Sequence, residues 1–434
     1  MINKKAHYAL QAARCVACAA IVSVVLPIGT VYANSLTLDA AIALATERDL
    51  EIAKSRDQES MLRDTARVSA ALPPPTLTLS AMNFPVDTFA IDQEPMTQLQ
   101  ARVSQMFPPG DSRKWRAASN ERSAEASVIQ RALRSAMLHQ QLRTAWADGW
   151  MAQASLDSLE ANRAVFEQAL ATTRASYSAG IRQARQREVL GAQASLTRLI
   201  ERIERYSMLL DTTREQFAEW LTPDEVEQLN FEGDVDQPAI LSSQRFDPAR
   251  HPAIVLAEAK RYSAEAEQRL ARELNKGSRG ISLSYGYRED PSNAVERADF
   301  VSLGFTMDLA SLRSSANSAR RSAAISKVAQ AQKEAELQHA RLTRDYRLLQ
   351  AKLIRLNARR SLYRDELLPQ YRQQADATRR AFASDEARFI ELQLVLIDLL
   401  NAELEALTVD AELMKSSATL DYLLTSTAIP GEQE

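Results

Sequence analysis

The chain states one pattern twice, its copies about 200 residues apart, and an internal repeat constrains architecture before any local reading does. The first copy holds a helical stretch around Asp49-Leu50-Glu51-Ile52-Ala53 and then Leu77-Thr78-Leu79-Ser80. The second holds His251-Pro252-Ala253-Ile254-Val255 and then Ile281-Ser282-Leu283-Ser284. Each continues with a second alternating stretch, Leu99 to Phe107 or Phe300 to Leu309, and a very long helical run. The repeated unit is helix, two strands, long helix. A two-stranded hairpin does not stand alone in water, so these strands need a partner surface.

The N-terminus reads as a secretory signal. Lys4, Lys5 and Arg14 lead into the mostly apolar Cys15 to Ile28, and Val31-Tyr32-Ala33 offers a small-x-small cleavage site. The apolar run is shorter than the roughly 20 residues of a membrane span. Cleavage there removes Cys15 and Cys18, the only cysteines, and with them disulfides, thiolate nucleophiles and Cys-based metal sites. Without those three leader cations the formal charge of −3 becomes −3 − 3 = −6, a field that disfavours nucleic acid as a partner. Only 11 glycines and 6% aromatics, against abundant Ala, Leu, Arg, Glu and Gln, point to long helices. No segment after the leader is apolar enough for a transmembrane helix. The best, Leu392 to Leu400, contains Gln393 and Asp398.

Helical spacing runs from Leu36 to Ala71 and stops at Pro73-Pro74-Pro75. Strands and a loop fill Leu77 to Phe107, and Pro108-Pro109-Gly110-Asp111 is a turn with an N-cap candidate. Proline-free sequence from Ser112 to about Ser178 predicts a rod of about 100 Å. Gly180 marks a turn, and a return helix runs from about Arg187 to Leu221. The second copy predicts a helix from Pro252 to about Asn275, two strands joined by Arg288 to Asp299, a long helix from about Leu312 to Ala383 kinked at Pro369, and a last helix from Arg388 to Leu424. These boundaries give a signal peptide over 1–33, a first repeat over 34–221, an irregular connection over 222–250, a second repeat over 251–425 and a disordered tail over 426–434. Leu342, Tyr346, Leu349, Leu353 and Leu356 form a heptad seam, which any antiparallel helical hairpin would also carry.

The strands carry the sharpest signal. Ile281, Leu283, Tyr285 and Tyr287 alternate with Ser282, Ser284, Gly286 and Arg288. Val301, Leu303, Phe305, Met307 and Leu309 alternate with Ser302, Gly304, Thr306 and Asp308. Segments of about ten residues, apolar on one face and small and polar on the other, match outer-membrane barrel strands. A surface hairpin packed on a helix alternates too. The count separates the two readings further. Four strands cannot close a barrel, and an open edge is forbidden in hydrocarbon, so a lipid-facing reading requires several chains to share one barrel. Three chains would supply twelve strands, with Leu303 and Phe305 on the lipid side.

No catalytic constellation is present. His7, His139, His251 and His339 are not at ligand spacing. Met82, Met96, Met106 and Met307 lie in or near strands, where packing or lipid exposure is the plainer role beside soft-metal contact. The pairs Arg320-Arg321, Arg359-Arg360 and Arg379-Arg380 read as solvated helix faces. No phosphate loop, nucleophile motif or metalloprotease motif occurs, and no cofactor is implied.

These residues resemble the TolC family of outer-membrane efflux channels. Leu36-Thr37-Leu38-Asp39-Ala40-Ala41-Ile42-Ala43-Leu44-Ala45 is similar to the family's opening helix, and His251-Pro252-Ala253 with Ala257-Glu258-Ala259 to the opening of its second repeat. Tyr177-Ser178-Ala179-Gly180-Ile181, followed by Val189-Leu190 and Ala192-Gln193, resembles its turn between long helices; Phe382 to Ala402 holds the matching place in the second half. The chain departs from the pattern in three places. Asp49-Leu50 stands where Asn-Pro is common, Asp385 where a turn glycine is common, and the Gly180 to Leu190 interval is about two residues longer than is usual in the family.

The resemblance implies a mainly α fold with a small β part: long-helix hairpins of an α-barrel, and four strands per chain in a shared twelve-stranded trimeric outer-membrane β-barrel. It implies a homotrimer and a passive conduit reaching from the outer membrane into the periplasm. Its partners would be outer-membrane lipid, a periplasmic adaptor and an inner-membrane pump of the RND type. Gln105-Met106-Phe107-Pro108-Pro109-Gly110 looks closer to the heavy-metal efflux branch. The two helical turns would form the end that docks the adaptor, with Tyr177, Gly180, Ile181, Phe382, Asp385 and Phe389 as its residues. Asp385 and Glu386, with Glu391 nearby, are either a helix cap with a solvated face or, repeated three times, an acidic ring at the pore mouth. A periplasmic coiled-coil scaffold, the outer-membrane conduit of a type I protein secretion system and a secreted enzyme are the competing readings.

Overall fold

In the computed structural model of the chain, placement is described for residues 35–179, 186–232, 246–290, 296–309, 314–384 and 386–427. The leader, Gly180, Ile181 and Asp385 lie outside the described residues, as do 233–245 of the connection between the repeats and the tail from 428.

The first repeat is α1 (Leu38–Arg48), α2 (Leu50–Ala70), β1 (Thr76–Met82), β2 (Gln98–Phe107), α3 (Ser112–Ser178) and α4 (Gln186–Phe217). A short α5 (Pro223–Glu227) follows. The second repeat is α6 (Pro252–Glu273), β3 (Arg279–Tyr287), β4 (Phe300–Met307), α7 (Ser314–Ser361), α8 (Leu368–Ala383) and α9 (Phe389–Leu424). The expected order of helix, two strands, long helix and return helix holds in both halves. At 67 residues, α3 is about 100 Å long.

Four local departures from the sequence reading have physical causes. The helix expected over Leu36 to Ala71 is broken at Asp49, whose extended backbone ends α1 and whose carboxylate caps α2 by accepting from Ile52 N at 2.8 Å. Pro369 does more than kink a helix. It lacks an N–H and its ring presses on the preceding turn, and the turn before it, Leu362–Leu367, widens into a π-helix in which Leu368 N–H reaches Tyr363 O. The stretch 222–250 is not irregular throughout. Thr222 and Glu225 form a reciprocal capping box on α5, Leu36 N–H donates to Gln228 O at 2.8 Å, and Leu229 and Phe231 are buried. Asp111 stands at the N-cap position of α3 without its side chain capping, and its own N–H donates to Glu273 Oε2 at 2.8 Å. Gly110 before it is at φ +47°, and a Cβ there would lie 2.1 Å from that same oxygen. Glycine is needed at this joint between the sheet and α3.

α3 is the axis of the layer. Its first half packs between α2 and α6, its second half between α4 and α9. Close approach in the first half comes from small side chains: Ser55 Oγ donates to Ser127 O at 2.9 Å, and the Ser123 and Ser263 hydroxyls meet at 2.9 Å. At mid-height a core gathers Ile42, Leu142, Trp146, Phe217, Trp220 and Phe231. Below it Leu159, Phe166, Leu199, Leu396 and Leu400 join α3, α4 and α9. The heptad seam buries Leu342, Leu349, Leu353 and Leu356 of α7 against Val409, Leu413, Leu420 and Leu423 of α9, and Tyr346 stacks on Phe246 with ring centroids 4.1 Å apart.

Two buried N-caps occupy matching places in the repeats. Asp49, only 1% exposed, also accepts from Arg134 Nη2 at 2.6 Å and Trp220 Nε1 at 3.1 Å. Burial pushes its carboxyl up, but Arg134, Ile52 N–H and Trp220 outweigh this and hold it below the usual range. His251, fully buried, accepts from Ala253 N–H through Nδ1 at 3.2 Å. Its Nε2 lies 3.1 Å from Tyr422 O and therefore carries the proton.

Candidate barrel wall and helical tip

The four strands form one antiparallel sheet in the order β1-β2-β3-β4, so the hairpins of the two repeats are joined through β2 and β3. Register places Leu77, Val103, Leu283 and Leu303 in one row across all four strands, and Leu79, Ala101, Tyr285 and Val301 in a second row on the same face. The row between them, on the opposite face, is Thr78, Arg102, Ser284 and Ser302. The central rows thus sort by side: apolar on one face, small or polar on the other.

Burial is inverted relative to a soluble protein. In β3, Gly280, Ser284 and Gly286 are buried and Ser282 is half-buried, while Ile281, Leu283, Tyr285 and Tyr287 are exposed. Leu303 is 83% exposed and Phe305 67%. The small-residue face is tight: a Cβ on Gly304 would lie 2.5 Å from Ser282 Oγ. The apolar face therefore does not pack on the helices of its own chain. A surface hairpin packed on a helix is excluded by this arrangement, because that geometry buries the apolar side.

The sheet is open at both edges, β1 and β4. The helical layer next to it is open on the same two sides. In that half it runs α2, α3, α6, α7, so α2 borders the β1 side and α7 the β4 side. On α2, Leu50, Met61 and Val68 are exposed, and their spacings of 11 and 7 residues put them on one helical face. Beyond the strands, the two hairpin loops are tied together. Arg297 Nη1 donates to Asp92 O at 3.1 Å and Glu94 O at 3.3 Å, and Arg288 Nη1 to Pro95 O at 3.2 Å.

The opposite end of α3, about 100 Å along its axis, is the helical tip. Tyr177, in its last turn, is 47% exposed. Phe382 and Phe389 face one another edge-on at 6.3 Å. Phe389 is only 6% exposed and packs with Ala169, Leu170 and Ala192. It joins the two helical pairs from inside and does not offer a surface, contrary to the expectation of a free tip residue. Glu386 is exposed, and its N–H donates to Ala381 O at 2.8 Å. Glu391 pairs with Arg388 at 3.1 Å. Among the described residues no group of three or more His, Cys, Asp or Glu could hold a metal ion.

No protein-family model matches the sequence, and no curated protein matches it. Solved structures do match in fold. The outer membrane protein VceC from Vibrio cholerae aligns with a TM-score of 0.72 at 12% identity, over 90% of this chain and 96% of VceC. The outer-membrane channel OprN aligns at 0.73 and 15% identity, over 91% of each chain. CusC, described with transmembrane channel formation, aligns at 0.70 and 12% identity, over 90% of this chain and 92% of its own. The fold is that of outer-membrane channels along essentially its whole length. The near-equal scores do not single out CusC.

Proposed function

We propose that this chain is the outer-membrane channel of a tripartite efflux system, a passive conduit formed by three copies. The observation that carries it is the sheet: its faces are sorted for lipid outside and water inside, and both edges are unpaired. In hydrocarbon those edges must find partners. β1 and β4 run in opposite directions, so β4 of one copy can pair antiparallel with β1 of the next. The open helical sides α7 and α2 then meet along the same seam. Such a contact joins two different surfaces and generates a ring. Three copies of four strands close a twelve-stranded barrel, an even number as such barrels require.

The conduit then extends from outer membrane into periplasm. The tip around Tyr177 and Phe382 is the end that meets a periplasmic adaptor, and through it an inner-membrane pump of the RND type. Gly180, Ile181 and Asp385 belong to this end by sequence. Heavy-metal cargo is the finer reading, and it rests on the sequence resemblance around Gln105 to Gly110. The signal peptide over 1–33 would direct export, and the two repeats over 34–221 and 251–425 would each contribute one hairpin and one helical pair.

Fractionation followed by mass measurement in detergent tests the reading. The protein should stay with outer membranes until detergent is added and then run as a trimer. Release by salt or carbonate alone, or a monodisperse monomer with its strands intact, would favour a periplasmic scaffold.

A further inference from the structure

The strands contain two charged residues, Arg102 and Arg279, and no acid. Register puts Arg279 in the row with Phe107 and Met307, on the apolar face at the helix-proximal end. Arg102 alone lies on the small-residue face, in the central row with Thr78, Ser284 and Ser302. It is exposed, and Nη2 donates to the neutral Gln100 Oε1 at 3.1 Å. Gln100 is held in turn by Ser284 Oγ at 3.4 Å. Among the described residues no carboxylate pairs with Arg102. Its neighbours in the row are too short to cover it.

We infer that Arg102 forms an anion-selecting ring in the outer-membrane segment of the conduit. This rests on the shared barrel proposed above, since one copy supplies one guanidinium and closure supplies three. With strands about 4.8 Å apart and tilted by about 40°, a twelve-stranded barrel has a backbone radius of about 12 Å. An arginine reaching inward leaves its charge about 6 Å from the axis, so the three charges lie within a Debye length of about 8 Å of every permeating ion. Rings of arginine or lysine favour anions in pores.

Asp308 is the acid on this face nearest along β4, six residues beyond Ser302. That is about 20 Å along the strand, too far to cancel the ring. Arg288, at the outer end of the same face, is held by the carbonyls of Ala298 and Pro95 and lies beside the Asp299 carboxylate, so the ring rests on Arg102 alone. The favoured class of cargo through this segment is anionic solutes, which runs against free divalent cations.

Reversal potentials in a KCl gradient across planar bilayers test this with full-length protein as wild type, Arg102→Gln, Arg102→Lys and Arg102→Glu. Chloride-to-potassium permeability should fall about threefold or more in Arg102→Gln, be kept in Arg102→Lys and invert in Arg102→Glu. A second measurement reads the ring even where the helical tip limits current. Inositol hexakisphosphate added on the outer-loop side should block wild type and Arg102→Lys but not Arg102→Gln. Equal permeability ratios together with equal block in all four proteins would overturn the assignment. A protein that forms no channels and runs as a monomer in detergent would instead overturn the shared barrel, and this inference with it.

Discussion

The ring of Phe231 occupies the space beside Gly149: a Cβ on residue 149 would lie 2.5 Å from it. Phe231 is buried against Trp146, with ring centroids 4.9 Å apart, and beside Phe217 at 6.0 Å. It belongs to the segment after α5 that straps the mid-height of the helical layer. Gly149→Val should therefore destabilise by about 1–3 kcal/mol through overpacking, and Phe231→Ala by about 3–5 kcal/mol through the cavity it leaves. Combined, the two should cost less than their sum by about 1 kcal/mol or more, because the valine fills part of that cavity. Denaturant unfolding in detergent measures all three. Strict additivity would show that the two sites do not share this space.

His251 makes stability depend on pH. Burial holds its imidazole below the ordinary histidine value, although the bond to Tyr422 O acts the other way. The folded state thus binds fewer protons than the unfolded state between the two values. Stability is present above the unfolded value of about 6.5 and is lost as pH falls below it, by at most about 1.4 kcal/mol per pH unit. Protonation also places a second donor against Ala253 N–H. His139, lowered by burial and by Arg143, acts in the same direction. His251→Asn keeps a side-chain acceptor for the cap but cannot charge. Its unfolding midpoint should fall less than that of wild type between pH 7 and 5, and a parallel fall in both proteins would remove His251 from the account.

The sorted faces of the sheet make a paired prediction. On the proposed barrel Leu303→Arg puts a charge on the lipid side near mid-strand and should cost about 2–4 kcal/mol per chain. Ser302→Arg would face the water-filled side of that barrel and should cost much less. Trimer yield from outer membranes, read on unheated gels, reports both. Equal yields from the two variants would mean that the faces have been assigned wrongly.

The architecture was legible because it is periodic. The duplication, the strand alternation and the proline-free run of α3 each repeat many times, so no single residue decides them. What escaped reading depends on single long-range contacts. The break at Asp49 is fixed by Arg134 and Trp220, 85 and 171 residues away, and nothing in Asp49-Leu50 announces them. The strap after α5 is ordered by Phe231 finding the gap at Gly149. Phe389 follows the same rule at the tip. Its place beside a turn suggested exposure, while its burial comes from Ala169, Leu170 and Ala192, all three on helices of the other repeat. The face of Arg102, by contrast, could have been read from the alternation of β2, had Leu99 and Val103 been set in register with β3.

The tip separates a residue that holds the structure from one that is free to dock. Phe389 is packed with Phe382 against the first repeat, so Phe389→Ala should loosen the end of the helical layer by about 3–5 kcal/mol and show faster amide exchange there. Tyr177 is exposed in the last turn of α3 and supports little of the core. Tyr177→Asp should leave trimer level, membrane insertion and unfolding unchanged, yet abolish crosslinking to the proposed periplasmic adaptor and the efflux that depends on it. Residues that face outward on a rigid frame are where partners bind, and a charge at the centre of such a patch is costly. Full efflux from Tyr177→Asp, with adaptor crosslinks intact, would move the docking surface away from this end of the molecule.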